Sequence, residues 1–192
     1  NYMLADYVFS FTIAAGCGDA YTPIYDIQGT GAASPVVGQT ISTEGVVVGD
    51  FQVGGRNGYY MQEPNADADP LISNGIFVYN TAVAVNVGDR VRVNGAISEW
   101  VTGTGGTLTE LTPSSPASSN VLICSTGNTI APTEVTLPVT AVSDFERYEG
   151  MLVTFPQNLI ISEYFNFDRY GEIVLTSTRH MTPTALVEPG PD

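Results

Sequence analysis

The sequence predicts an all-β protein built around a small closed barrel, and three observations predict it. Helical periodicity is nearly absent along the 192 residues. Short runs rich in Val, Ile, Thr, Tyr and Phe recur between clusters of Gly, Asn, Asp and Pro, the pattern of strands joined by turns. Two of the longer runs carry a glycine in mid-strand, Gly45 and Gly95. Such a glycine marks a bulge or a sharp bend, which small closed barrels require.

The elements follow in order. Strands are expected near 40–52, 58–63, 75–80, 89–100, 107–112 and 119–124, then near 133–137, 150–155, 158–164 and 171–178. In the fourth run Val91, Val93, Ala96 and Ile97 stand among Arg90, Arg92 and Asn94, a half-buried strand whose phase breaks at Gly95. Val87-Gly88-Asp89-Arg90-Val91-Arg92-Val93-Asn94-Gly95 resembles the entry to the fourth strand of many OB-like domains. The connection Asn80–Asn86 is too short for the helix an OB barrel often carries there, so a loop is expected. Residues 64–74 form a polar turn region, and Pro113-Ser-Ser-Pro-Ala-Ser-Ser-Asn120 a surface loop.

A weak internal repeat links Glu44-Gly45-Val46-Val47-Val48 to Glu149-Gly150-Met151-Leu152-Val153. The expected division is residues 1–16 as a leading strand or remnant of a preceding β-domain, 17–142 as an OB-like barrel, and 143–192 as further strands, which the repeat relates to the opening strands of the barrel. These would either pack on the barrel or begin a second OB-like module. Packing is favoured, because a half-barrel leaves strand edges exposed.

Composition narrows the function. The formal net charge is −14, with six arginines and no lysine. Such a surface repels phosphate backbones at long range, which argues against non-specific nucleic-acid binding. No run approaches the length needed to span a membrane. Val8 to Gly16 before Cys17 has the outline of a lipoprotein signal. No Lys or Arg precedes Arg56, however, and Asp6 stands where positive charge is needed. Tyr7, Phe9, Phe11 and Ile13 alternate with Val8, Ser10 and Thr12, so residues 1–15 read as a strand. The two cysteines, Cys17 and Cys124, fit neither a CxxC motif nor a zinc cluster. They are either bonded to each other, in an oxidising compartment, or two separate buried thiols.

Three separated motifs carry a resemblance. The stretch from Cys17-Gly18-Asp19-Ala20-Tyr21-Thr22-Pro23-Ile24 through Gly29-Thr30-Gly31 to Pro35 is the first. Thr43 to Phe51 is the second, and Phe145-Glu146-Arg147-Tyr148-Glu149-Gly150-Met151-Leu152-Val153 the third. Over residues 17–190 the chain resembles the OB-like domain of large secreted bacterial nucleases. In that family the domain precedes a catalytic domain of the endonuclease/exonuclease/phosphatase type. The resemblance favours the Cys17–Cys124 bridge. It implies a secreted, extracellular or periplasmic location, and a parent enzyme that cleaves extracellular DNA with Mg²⁺ or Ca²⁺. The other domains of that parent would be partners. This region would position substrate or brace the catalytic domain. The alternative is a structural or sorting β-module that binds no nucleic acid.

The chain itself offers little for catalysis. A metal nuclease needs several His, Asp and Asn residues around a divalent ion. The single histidine, His180, has no carboxylate nearby in sequence. No nucleophile motif, phosphate-binding glycine loop or zinc spacing is present, so no catalytic residue is assigned. The candidate nucleic-acid residues are Tyr59, Tyr60, Phe77, Tyr79 and Trp100, on strands two to four, with Arg56, Arg90 and Arg92 beside them. They would take single-stranded DNA weakly, by stacking. Alternation turns only half of those rings outward. The candidate Ca²⁺ ligands are Asn65, Asp67 and Asp69, against a plain reading as a solvated Asx turn. Asp144 is expected to cap a helical turn, and Arg147 to pair with a carboxylate or a backbone carbonyl.

Overall fold

The computed structural model describes residues 15–67, 69–101, 106–170, 172–179, 181, 185–187 and 190. The strand expected over 1–15 falls, but for Ala15, outside them, as does His180. The described chain is largely all-β. Five strands close a ring: β1 (Thr40–Phe51), β2 (Gly58–Gln62), β3 (Gly75–Tyr79), β4 (Arg90–Val101) and β5 (Thr107–Pro113). Their order is β1-β2-β3-β5-β4, and β4 pairs back onto β1. Every pairing is antiparallel except β3 with β5, the closing seam, where only Phe77↔Glu110 and Val78↔Leu111 are in register. This is an OB-like barrel. A sixth strand, β6 (Val121–Ser125), extends the sheet along β4.

Alternation fills the interior. Tyr59, Met61, Ile76, Val78, Val91, Val93, Ile97 and Leu111 are all at most 1% exposed and form one cluster. The phase of β4 does not break at Gly95. Val91, Val93, Gly95 and Ile97 all face inward, while Ala96 is exposed. Gly95 is instead a place of close approach. A Cβ there would lie 2.2 Å from the Thr112 carbonyl oxygen, where β4 takes up β5 as its partner. The shift of phase occurs in β1, between Val47 and Gly49, and turns Phe51 to the outer face.

One end of the barrel is plugged by a helix not expected from the sequence, α1 (Ile24–Gln28). It has no side-chain cap, and five residues cannot sustain a helix alone. Ile24 and Ile27, both 0% exposed, hold it in place. The connection after β3 is a loop, as expected. It is tied to the β1–β2 loop by Gln52, whose Nε2 donates to the carbonyls of Asn80 and Val83.

Cys17 and Cys124 are bonded, which pins the segment before α1 to β6. A short helix, α2 (Ala117–Asn120), precedes β6, and beyond β6 comes a parallel pair, β7 (Thr133–Glu134) with β8 (Val153–Thr154). A 3-10 turn, Val142–Tyr148, leads into β8. Asp144 caps this turn from inside, its Oδ2 accepting the Ala141 N–H at 2.9 Å. Arg147 donates Nε to the Asp144 carbonyl at 3.2 Å. A hairpin, β9 (Ile160–Glu163) with β10 (Val174–Thr176), flanks α3 (Phe167–Tyr170) and brings Ile161, Tyr164 and Phe165 to the surface. Among the described residues no helix is long and apolar enough to cross a membrane.

Candidate nucleic-acid interface

The outer face of β1, β2 and β3 gathers four of the relevant side chains. Tyr60 and Phe77 are register partners on neighbouring strands, so both point outward, with ring centroids 5.0 Å apart. The β1 bulge brings Phe51 edge-on to Tyr60 at 5.9 Å. The β1–β2 loop turns tightly through Gly54, Gly55 and Asn57, all at positive φ. That turn lays Arg56 over both rings, 5.8 Å from the Tyr60 centroid and 5.7 Å from that of Phe77. An Arg56 Nη2 donates to the Tyr60 hydroxyl at 2.6 Å. Phe77 is buried beneath this layer, while Phe51 is half exposed. Tyr79, on the same outward phase, is also half exposed.

Beside the rings lies a mainly apolar groove of about 330 Å³. It is lined by Val48, Phe51, Tyr60, Leu108, Met151 and Leu152.

The remaining candidates lie elsewhere. Tyr59 faces inward, 0% exposed, and cannot stack on a ligand. Burial holds its hydroxyl far above the usual phenol range. Trp100 is half exposed on the outer side of β4, in register with Leu108. Arg90 and Arg92 point to the outer face of the β1–β4 pair, where both bind Glu44. Arg92 Nη1 meets Glu44 Oε1 at 2.9 Å, and Arg90 Nη2 meets Oε2 at 2.8 Å. Arg92 also donates to the carbonyls of Asp19 and Ala20. With Arg92 4% exposed, it reaches no phosphate. Burial alone would raise the Glu44 carboxyl. The hydrogen bonds from Gly18 N–H, Arg92 and Arg90, with the charge of Arg90, more than offset this and hold it below the usual carboxylate range.

The acidic loop is organised as turns. Asp67 Oδ1 accepts the Asp69 N–H at 2.8 Å, and Asp69 Oδ1 accepts that of Leu71 at 2.9 Å. The Asn65 N–H donates to Glu63. Among the described residues no group of three or more His, Cys, Asp or Glu side chains is placed to hold a metal. The Asp67 and Asp69 carboxylates thus each carry a local backbone N–H, the arrangement of a pair of Asx turns.

Phe51 was not among the sequence candidates. Its signal was obscured, because strict alternation from the inward Val47 would place it inside. Only the bulge reverses it.

No family model matches this chain, and no curated protein matches it. Among solved structures it is similar to the mitochondrial single-stranded DNA binding protein Rim1 from S. cerevisiae. That match covers 47% of this chain and 98% of that chain, at 16% identity and a TM-score of 0.28.

Proposed function

We propose that this chain is a non-catalytic OB-like module of a secreted bacterial nuclease that positions single-stranded DNA by stacking. The observation that carries this reading is the pair of accessible rings Phe51 and Tyr60, backed by the buried Phe77 and flanked by Arg56, on the strands where OB barrels hold oligonucleotides. Exposed rings take bases without regard to sequence, at about 1–3 kcal/mol per base. The net charge of −14 makes the binding weak and its salt slope shallow. Hydrolysis, with Mg²⁺ or Ca²⁺, belongs to another domain of the parent. The Cys17–Cys124 bridge is compatible with an extracellular location.

One observation favours a second reading, a bracing module that binds no nucleic acid. Arg90 and Arg92, which would otherwise serve phosphates, are committed to Glu44. Anisotropy titration of a labelled oligo-dT in chelator, at two salt concentrations, separates the two. The stacking reading expects weak binding that Phe51→Ala and Tyr60→Ala each reduce by roughly tenfold. Absence of binding, or binding indifferent to both substitutions, leaves the bracing reading.

A further inference from the structure

The parallel β3–β5 seam is short, and below Phe77↔Glu110 the two strands separate. Side chains fill the gap. Gln28 Nε2, from α1, donates to the Gly75 carbonyl at 2.6 Å. Glu149 Oε1 accepts the Thr109 N–H at 2.8 Å and Gln28 Nε2 at 3.2 Å. Glu149 thus closes the barrel where backbone pairing fails.

The segment around it is clamped at several further points. Ser73 Oγ donates to the Glu149 carbonyl at 2.6 Å, and the Leu152 N–H donates to Gln62 Oε1 at 3.0 Å. Gly75 and Gly150 meet backbone to backbone, and a Cβ on Gly75 would lie 2.3 Å from the Gly150 carbonyl carbon. Residues 142–152 therefore form a strap over the seam.

The strap is fastened through an acidic cluster with too few donors. Glu99 Oε1, from β4, accepts the Ser34 N–H at 2.7 Å and Thr109 Oγ1 at 3.0 Å. Its Oε2 is buried without a hydrogen-bond partner. Glu146 of the strap lies near both Glu99 and Glu149. The groups packed against Glu149 are Gln28 from α1, Thr109 from β5, Glu99 from β4, Ser73 from the loop after β2, and Gly75 of β3. Its own turn adds Glu146 and Arg147. The Arg147 guanidinium is engaged by the Asp144 carbonyl and lies 5.2 Å from the Tyr148 ring centroid.

We propose that residues 142–152 are a proton-sensitive strap, which grips the barrel seam more tightly when Glu146 or Glu149, packed beside Glu99, takes up a proton. An added proton removes one of three like charges. It also supplies a hydrogen-bond donor in a cluster whose Glu99 Oε2 has none. Burial and then these like charges hold Glu146 above the usual carboxylate range. Glu149 is raised as well, mainly by burial, against the hydrogen bonds it accepts. On acidification these two groups therefore take up a proton before ordinary carboxylates do.

Amide hydrogen exchange on the intact chain tests this, with rates corrected for intrinsic exchange at pH 8, 6.5 and 5. Protection of the Thr109 and Leu152 amides should rise toward pH 5 relative to the barrel amides of Val91 and Val93. The rise is bounded at about tenfold for each unit by which the cluster's pKa is raised. Glu149→Gln keeps an acceptor for Thr109 and Gln28 and should remove the pH dependence while retaining protection. If that variant does not fold, Glu99→Gln should weaken the same trend. Equal protection across the range in the wild type overturns the proposal. So does an unchanged trend in the variant that folds.

Discussion

Glu44 and Arg92 pair at 2.9 Å across β1 and β4, on the outside of the barrel wall yet almost fully buried. The segment Cys17–Ala20 covers them: the Gly18 N–H joins Glu44 at 2.9 Å, and the Asp19 and Ala20 carbonyls receive Arg92. The pair is thus the joint between the leading segment and the barrel. Removing one partner of a buried pair strands the other charge and costs about 3–5 kcal/mol. Arg92→Ala should therefore destabilise strongly in denaturant titrations. Arg90→Ala, more exposed, should cost roughly 1 kcal/mol or less. Because the Glu44 pKa is lowered on folding, its contribution is complete above the ordinary carboxylate range. It is lost as pH falls through the folded value. Glu146 and Glu149 have the opposite sign, and their penalty is relieved on mild acidification. Denaturation midpoints should therefore rise from pH 7.5 toward mild acid and drop below roughly pH 4.

The Tyr59 hydroxyl lies in the barrel core with no hydrogen-bond partner. Tyr59→Phe removes a buried polar group and little volume. Stability should be unchanged or rise by up to about 1–3 kcal/mol, read as a shift in urea midpoint at constant slope. A loss beyond 1 kcal/mol would mean the hydroxyl is satisfied.

Gly75 has no room for a side chain against Gly150. Gly75→Ala should force the strap away from β3 and open the segment to limited proteolysis near residues 149–152, while the ring of β1 to β5 still forms. Cleavage no faster than in the wild type would show that the contact yields without release.

The bridge between Cys17 and Cys124 spans a sequence separation of 107 residues. Loop-entropy estimates put such a bridge near 4–5 kcal/mol, with smaller values common in practice. The double serine variant should lower the denaturant midpoint by an amount of this order. It should also free the leading segment to exchange amide hydrogens rapidly.

The strands were legible because each is short, alternating and bounded by Gly, Asn, Asp or Pro. Those from Thr40 to Ser125 fall within two residues of the positions expected at their starts. Three features were not legible. The five residues of α1 carry no cap and only one turn of periodicity, since Ile24 and Ile27 owe their helix to tertiary burial. Phe51 depended on a bulge that no residue type announces. Arg90 and Arg92 looked available to a phosphate because Glu44 lies 46 and 48 residues earlier in the chain. Side-chain pairing at such separation follows from barrel closure, which a local pattern does not encode. Tyr60 and Arg56, four residues apart across a tight turn, were found because their proximity is local.

The disulfide also decides how the molecule carries load. It encloses β1 to β5 and the start of β6 in one covalent loop. Tension applied between a point before Cys17 and a point after Cys124 runs through the sulfur–sulfur bond and bypasses the hydrogen-bonded ring. The barrel is thereby shielded from a pull along the chain. The chain after Cys124, the segment holding Glu149 and Gly150 included, lies outside that loop and bears the pull directly.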